Sequence, residues 1–139
     1  MFEIRSVTIA DSTFWFTLDK HIAESEFALK VRDCRGYVIF DGDEPVGVLR
    51  YNLFGDTIPF LTLIHLKGSH RTKGFGRSAV LFWEAQMRTL GHKMVMTSTQ
   101  VDEQAQHFYR KLGYIDRGCL FLDNTPLDQP QEMLMIKNL

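Results

Sequence analysis

The spacing of apolar residues changes repeatedly along this chain, and each change marks a predicted element. Helical spacing appears at Phe14, Trp15 and Leu18, and again in residues 24–31, 80–90 and 102–112. Continuous or alternating apolar runs, typical of strands, occupy Phe2 to Val7, Tyr37 to Phe40, Pro45 to Leu53, Phe60 to Leu66, Lys93 to Thr99, Tyr114 to Leu122 and Met133 to Ile136. Strands dominate both ends, and strands alternate with helices in the middle. This order predicts a mixed α/β or α+β sheet covered by helices.

Turn and capping residues indicate where several of these elements begin and end. Asp41-Gly42-Asp43 predicts a tight hairpin turn between two strands. Asp11, or the serine after it, is a natural N-cap for the first helix, and Asp102 is one for the last helix. Gly91 and Gly113 are placed to terminate the two later helices. The predicted apolar faces of those two helices consist of Val80, Trp83, Met87 and Leu90, and of Ala105, Phe108 and Leu112.

Length and composition fit a single globular domain covering residues 1–139. Of the 139 residues, 45% are hydrophobic and 24% are charged, an ordinary globular composition. A chain of this length can bury a core without a metal or a disulfide. Cys34 and Cys119 form no CxxC pair and join no cluster with zinc spacing, so we expect two reduced, buried thiols and no metal. The chain shows neither a secretory signal pattern nor an apolar run approaching the roughly 20 residues of a membrane helix. We therefore expect a cytoplasmic protein with no membrane partner.

Charge is distributed unevenly although the total is close to zero. A formal net charge of -1 provides no general field for nucleic acid, so we expect no nucleic-acid partner and only local anion binding. Residues 57–83 contain no Asp or Glu, and they contain a cluster of basic side chains: Lys67, His70, Arg71, Lys73 and Arg77.

The basic cluster lies in a glycine-containing loop that joins a buried strand to the start of a helix. Gly74 and Gly76 allow backbone N–H groups to turn toward a ligand, and the following helix adds unpaired N–H groups and a positive dipole end. Arg71, Lys73 and Arg77 can form charge-assisted bonds with phosphate oxygens. The loop therefore predicts a pyrophosphate site, with a solvated basic loop whose glycines only make turns as the alternative.

Two other phosphate motifs fit this loop less well. The Walker pattern requires Gly-Lys-Ser/Thr, but here Lys73 precedes Gly74, which argues against a nucleoside triphosphatase. Gly74-x-Gly76-x-x-Ala79 matches a dinucleotide fingerprint. However, the next strand ends in Thr97-Ser98-Thr99 and provides no acidic ligand for a ribose, so this match is weak.

Two motifs occur together, and in order, in the second half of the chain. The first is Arg71-x-x-Gly74-x-Gly76, and the second is Asp102-Glu-Gln-Ala105-Gln-His-Phe108-Tyr109-Arg-Lys-Leu-Gly113-Tyr114. The first resembles the phosphate loop of the GNAT superfamily of N-acetyltransferases, Arg/Gln-x-x-Gly-x-Gly/Ala. The second is similar to the Asn-x-x-Ala-x-x-Phe-Tyr-x-x-x-Gly-Phe signature of the same superfamily, with Asp102 in place of the usual Asn.

This resemblance implies a fold and a cofactor. The fold is a central, mostly antiparallel sheet, splayed between its fourth and fifth strands and flanked by about four helices. The pantetheine arm of acetyl-CoA would lie in that gap and bond to main-chain groups near His65 and Leu66. The resemblance implies acetyl-CoA as co-substrate, with cofactor-binding residues Leu66, Arg71, Thr72, Lys73, Gly74, Phe75, Gly76, Arg77, Ser78, Asp102, Ala105 and Phe108.

The implied reaction is direct attack of a primary amine, on a small molecule or a peptide, at the thioester carbonyl. By resemblance, Tyr109 would protonate the sulfur of coenzyme A. His65 lies beside the presumed acyl position and has a suitable unperturbed pKa near 6.5, although a structural histidine is the alternative. Glu24, Glu26 and Asp56 are candidate carboxylates on the amine side, with ordinary surface roles as the alternative.

A second class of function fits the same motifs. A non-catalytic module that binds or senses acyl-CoA would keep the phosphate loop but lose turnover. The presence of Tyr109 favours the enzyme. The sequence is compatible with a monomer or a homodimer, and it does not identify the acceptor amine.

Overall fold

The structure, a computed structural model, describes all residues from Met1 to Leu139. Seven strands are present: β1 (Phe2–Ser6), β2 (Gly36–Asp41), β3 (Glu44–Phe54), β4 (Ile58–Leu66), β5 (Met94–Gln100), β6 (Ile115–Leu120) and β7 (Glu132–Asn138). The α-helices are α1 (Ser12–Leu18), α2 (Glu24–Arg32), α3 (Phe75–Thr89) and α4 (Ala105–Lys111). Short 3₁₀ helices occupy Ile9–Asp11 and Gly68–His70. No helix has the length and apolar character needed to cross a membrane.

The strands form a mixed sheet, as predicted. Hydrogen-bonded neighbours follow the order β1-β2-β3-β4-β5-β7-β6. The pairs β1–β2, β2–β3, β5–β7 and β6–β7 are antiparallel. β4 and β5 are parallel, with Phe60 opposite Met96 and Leu61 opposite Thr97. The expected splaying of the sheet between these two strands stays a prediction.

Backbone contacts divide the chain into two compact units. The first unit combines Met1–Asn52 with Thr62–Ala85, and the second combines Leu53–Leu61 with Gln86–Leu139. The expected single domain stays a prediction.

The core of the first unit forms where α1 and α2 pack on the first strands. Its buried residues are Val7, Trp15, Phe27, Val38 and Val48. The rings of Trp15 and Phe27 lie 5.3 Å apart in a tilted arrangement that aromatic pairs favour. Both helices thus bury one apolar stripe, which explains why their periodicity was visible in the sequence.

Asp19, directly after α1, is a fully buried carboxylate. Its Oδ2 accepts hydrogen bonds from Trp15 Nε1 at 3.0 Å and from Arg50 Nε at 2.8 Å, and its Oδ1 accepts from His21 N at 3.1 Å. Burial alone would raise the pKa of Asp19, but these donors and the Arg50 charge hold it below the ordinary value. The segment after α1 is therefore fixed against β3.

The second unit is organised around β7, which pairs with β5 from Met94 opposite Asn138 to Gln100 opposite Glu132. Val95, Met96 and Met135 are buried there. On its other side β7 pairs with β6, whose side chains are all exposed.

Two helix ends differ from the predictions. α4 begins at Ala105 with Gln104 as its N-cap residue, so the predicted cap at Asp102 is wrong. Residues 101–104 form a separate turn, in which the Glu103 carboxylate accepts a hydrogen bond from the N–H of Gln100 at 2.9 Å. Asp11 does precede α1, but its carboxylate accepts a hydrogen bond from the N–H of Thr8, just before the 3₁₀ helix, and makes no side-chain cap of α1.

Leu90 does not belong to the buried face of α3, since it is 66% exposed. The helix ends at Thr89, and Gly91 adopts the left-handed φ of 90° that was expected of a terminating glycine. The N–H of His92 then bonds to the Met87 carbonyl at 3.0 Å and ends the helix, so Leu90 lies in the terminating turn.

The expected burial of both cysteines is also wrong, because Cys34 and Cys119 are exposed. Cys34 lies in the tight connection after α2 and has a φ of 55°. Cys119 lies on β6, where every side chain is exposed. Both thiols are therefore open to solvent.

Candidate active site

The loop between β4 and α3 has a backbone suited to an anion. Gly74 has a φ of 86°, which glycine adopts without strain, and Thr72 has a φ of 68°, which is uncommon for a β-branched residue. The first bond into α3 joins Ser78 N to the Gly74 carbonyl at 3.0 Å. The N–H groups of residues 75–77 consequently have no acceptor within the helix and are available to a ligand.

Basic side chains surround this backbone and stay exposed. Arg71, Lys73 and Arg77 are all exposed, as are Thr72 and Gly74. The ion pairs of the first unit involve neither Lys73 nor Arg77. The loop therefore presents uncompensated positive charge beside free N–H groups, a combination that fits a pyrophosphate.

Gly47 on β3 positions the end of β4 just before this loop. A Cβ atom at Gly47 would lie 2.4 Å from Leu66 Cδ2 and 3.1 Å from the His65 carbonyl oxygen. β3 and β4 can approach this closely only without a side chain at that position, and the Lys67 N–H bonds to the Val46 carbonyl at 2.7 Å. Sequence reasoning missed this residue, although a glycine inside a predicted strand is a known signal of close backbone approach.

His70 anchors the loop rather than adding to its exposed charge. The side chain is largely buried, and its Nε2 lies 3.1 Å from Asp41 Oδ2 at the end of β2. Its Nδ1 lies 2.9 Å from Ser69 Oγ, and its ring meets the ring of Phe75 edge-on at 5.4 Å. His70 thus links the first residue of α3 to the β2–β3 hairpin. No local sequence pattern indicates this long-range arrangement.

His65 lies near the end of β4 and is engaged by Arg71. Arg71 Nη2 is 3.1 Å from His65 Nε2, and Arg71 Nε donates to the Leu66 carbonyl at 3.2 Å. A guanidinium can only donate, so Nε2 must accept and the imidazole must be neutral, with its proton on Nδ1. Burial lowers the pKa of His65, and the positive charge of Arg71 lowers it further. His65 thus has the protonation state of a base, but its lone pair is occupied.

Tyr109 is the buried residue of α4. Its hydroxyl hydrogen-bonds the side chain of Thr97, whose Oγ1 donates to the Leu61 carbonyl at 3.0 Å. Burial raises the pKa of Tyr109 to about 12, and the bond to Thr97 offsets only part of this effect. The phenol therefore keeps its proton at neutral pH, as a proton donor must. Sequence reasoning did not single out Thr97 as the partner of this hydroxyl.

The predicted apolar face of α4 is partly wrong. Ala105 is exposed and Phe108 is partly exposed, whereas Tyr109 is buried. The ring of Tyr109 meets that of Phe108 edge-on at 5.1 Å and that of Tyr114 at 5.4 Å. These aromatic contacts, rather than the stripe through Ala105, determine which side of the short helix is covered.

The three candidate carboxylates for the amine side are all exposed. Glu24 and Glu26 lie in the first turn of α2, where negative charge also favours the helix dipole. Asp56 lies in the turn between β3 and β4 and has a φ of 63°. Their role toward an amine stays a prediction.

The sequence profile described as the Acetyltransferase (GNAT) family matches residues 3–114 of this chain. Comparison with curated proteins gives no match.

Solved structures with closely similar folds are numerous, and they share little sequence with the chain. Ard1 from Thermoplasma volcanium has a TM-score of 0.86 at 16% identity, covering 99% of this chain and 97% of that one. The ribosomal-protein-S18-alanine N-acetyltransferase of Escherichia coli has a TM-score of 0.83 at 14% identity, covering 99% and 94%. Arabidopsis thaliana Naa50, in complex with the bisubstrate analogue CoA-Ac-MVNAL, has a TM-score of 0.82 at 11% identity, covering 99% of each chain. At such identities the likeness concerns the fold.

Proposed function

Because this chain belongs to the acetyltransferase (GNAT) family, we propose that it transfers the acetyl group of acetyl-CoA to a primary amine. The observation that carries the proposal is the exposed, uncompensated basic loop at the start of α3, with Thr72 and Gly74 in left-handed conformations. The acceptor would be a small molecule or a peptide. Similar solved structures include Naa50 with a peptide-based bisubstrate analogue and the NatC complex bound to Gag peptide and CoA. Peptide amines therefore belong among the acceptors to test.

The loop residues would hold the pyrophosphate. Backbone N–H groups of residues 75–77 would donate to its oxygens, and Arg71, Lys73 and Arg77 would add charge-assisted bonds. Residues of the second motif and the end of β4 would contact the rest of the cofactor, by analogy with the family: Leu66, Asp102, Ala105 and Phe108. No carboxylate ligand or metal is needed for this recognition.

The chemistry requires one bond to form, one to break and two protons to move. The amine nitrogen attacks the thioester carbonyl carbon, the new C–N bond forms and the C–S bond breaks. His65 would accept the proton that the amine loses, and Tyr109 would give its proton to the departing sulfur. The backbone N–H of Leu66 would polarise the carbonyl oxygen as negative charge develops on it. Both side chains regain their starting protonation by exchange with water after the products leave.

Binding of acetyl-CoA tests the cofactor assignment. A ligand that binds only the native state stabilises it by about 2.7 kcal/mol at a hundredfold excess over the dissociation constant, so the melting midpoint should rise. Gly74→Glu places a carboxylate in the loop and should abolish this rise. Gly55→Glu is the matched control, because Gly55 also has a positive φ, of 58°, and also has open space where a Cβ would stand.

Thioester consumption with a panel of amines then tests catalysis. The panel should contain a polyamine, an aminoglycoside, free amino acids and short peptides with a free N-terminus. Consumption that depends on one of these amines supports the enzyme. Stabilisation by acetyl-CoA without consumption would instead favour the module that only binds or senses acyl-CoA. An unchanged midpoint at saturating acetyl-CoA, in the wild type as in Gly74→Glu, would refute the cofactor assignment.

A further inference from the structure

Arg71 has two candidate partners, the imidazole that it contacts in the structure and the pyrophosphate of the proposed function. In the structure its guanidinium donates to His65 Nε2 and to the Leu66 carbonyl. In the proposed function the same guanidinium belongs to the loop that holds the pyrophosphate. The nitrogen that Arg71 covers is the one through which His65 would accept a proton.

We propose that the pyrophosphate of acetyl-CoA draws Arg71 away from His65, so that cofactor binding uncovers Nε2 as the proton acceptor. The inference rests on the proposed function, which it deepens by linking cofactor binding to the base. Arg71 then acts as a positioning residue for His65 in addition to its contact with phosphate. An amine that arrives before the cofactor meets a base whose lone pair is already occupied.

The exchange of partners is favourable on chemical grounds. The bond from Arg71 to His65 has a neutral acceptor, and the Arg71 side chain is exposed, so little packing holds it there. A pyrophosphate oxygen carries negative charge, so it attracts the guanidinium electrostatically in addition to accepting its hydrogen bond. Phosphate can also engage the planar guanidinium through two parallel bonds, which would replace the bonds that Arg71 makes to His65 and to the Leu66 carbonyl.

The other charged groups that act on His65 lie outside the phosphate loop. Asp19 and His21, in the segment after α1, also act on His65: the former raises its pKa and the latter lowers it. Asp19 is fixed by its bonds to Trp15 and Arg50, whereas Arg71 lies in the loop itself. Withdrawal of the Arg71 charge therefore leaves burial and His21 as the remaining influences that lower the pKa of His65. That pKa should rise, and the imidazole becomes a stronger base.

Nitrogen NMR of the histidine side chains measures this coupling directly in the full-length chain. Coenzyme A is the probe, and calorimetry establishes that it is saturating. In the free wild type we expect His65 as the Nδ1–H tautomer with a hydrogen-bonded Nε2. On saturation, the Nε2 signal should move to that of a nitrogen without a guanidinium donor, and the titration midpoint of His65 should move upward.

Two variants separate displacement of Arg71 from the charge of the ligand. In Arg71→Gln the His65 midpoint should already be raised without coenzyme A, and the added ligand should shift it less than in the wild type. Arg32→Gln is the matched control, since Arg32 is exposed and pairs only with the adjacent Asp33; it should behave as the wild type.

Three results would overturn the coupling between cofactor binding and His65. Saturation with coenzyme A that leaves the His65 signals of the wild type unchanged would overturn the coupling but not the proposed function. Equal ligand-induced shifts in the wild type and Arg71→Gln would overturn it as well, because the ligand's charge alone would then account for the effect. Absence of any binding in calorimetry would overturn the proposed function together with the coupling. The wild-type titration remains decisive even if Arg71→Gln does not fold.

Discussion

Tyr109 has a hydroxyl proton that burial holds in place and that Thr97 orients. Because Thr97 Oγ1 also donates to the Leu61 carbonyl, the hydroxyl of Thr97 keeps a partner when the phenol is removed. Loss of the Tyr109 hydroxyl therefore leaves no buried donor without an acceptor, and the cost in stability should be small. The hydroxyl of Tyr109 can therefore be removed to test its catalytic role without disturbing the fold.

We predict that Tyr109→Phe lowers the single-turnover rate by about 10² to 10⁴ while melting and acetyl-CoA affinity change little, if proton donation is the slow step. Since the pKa of Tyr109 is raised to about 12, the phenol stays protonated throughout the range from neutral to moderately alkaline pH. The ratio of wild-type to variant rates should accordingly be constant there. Rapid mixing with preformed acetyl-CoA complex isolates this step from product release.

Tyr37→Phe provides the matched control for that measurement. Tyr37 is likewise buried, and burial likewise raises its pKa to about 12, but it lies on β2, outside both motifs. The control should turn over at the wild-type rate. A Tyr109→Phe enzyme with the full single-turnover rate at every pH would show that another group, or water, protonates the sulfur.

Among the elements, the end of β4 is the one on which the candidate site most depends, because His65, Leu66 and the start of the loop all lie there. Its position relies on the missing side chain of Gly47. We predict that Gly47→Ala destabilises the protein by about 1 to 3 kcal/mol, as overpacking does, and weakens acetyl-CoA binding by displacing Leu66. Chemical denaturation and calorimetry measure the two effects.

Gly68→Ala tests whether any added methyl group near the loop has this effect. A Cβ at Gly68 would have open space around it, and its φ is not in the left-handed region. Stability and affinity should therefore stay close to those of the wild type. Equal effects at Gly47 and Gly68 would show that loop flexibility, rather than the close approach of β3 and β4, governs binding.

Elements with a local signal were predictable from the sequence. The hairpin turn at Asp41 to Asp43, the glycine-ended helix α3 and the succession of strands and helices along the chain all follow from periodicity and turn chemistry over short windows. The start of α4 was not predictable in this way, because Glu103 binds back to Gln100 and postpones the helix. His70 is buried where it contacts Asp41, which is distant in sequence. Only the folded structure reveals that contact.

At the scale of the whole molecule, the charge is nearly balanced while the candidate cofactor site is basic. A formal net charge of -1 cannot attract a polyanion over long range, so attraction must arise from the few cations of the loop. Exposed charges are screened beyond a Debye length of about 10 Å at 0.1 M salt. The electrostatic part of acetyl-CoA binding should therefore be local and sensitive to salt.

We predict that acetyl-CoA affinity falls as salt rises, and that Lys73→Gln/Arg77→Gln both weakens binding at low salt and flattens this dependence. Each exposed cation contributes up to about 1 kcal/mol, so the double variant should lose roughly fivefold to thirtyfold in affinity. Arg32→Gln/Arg117→Gln removes the same net charge from exposed positions outside the loop and should retain wild-type affinity and salt dependence. Calorimetric titrations provide the comparison. They should run from about 20 mM to about 500 mM salt, because screening of exposed charges increases over that range. If both double variants lose affinity equally, the net charge of the protein rather than the loop attracts the cofactor, and the placement of the pyrophosphate beside Lys73 and Arg77 is wrong.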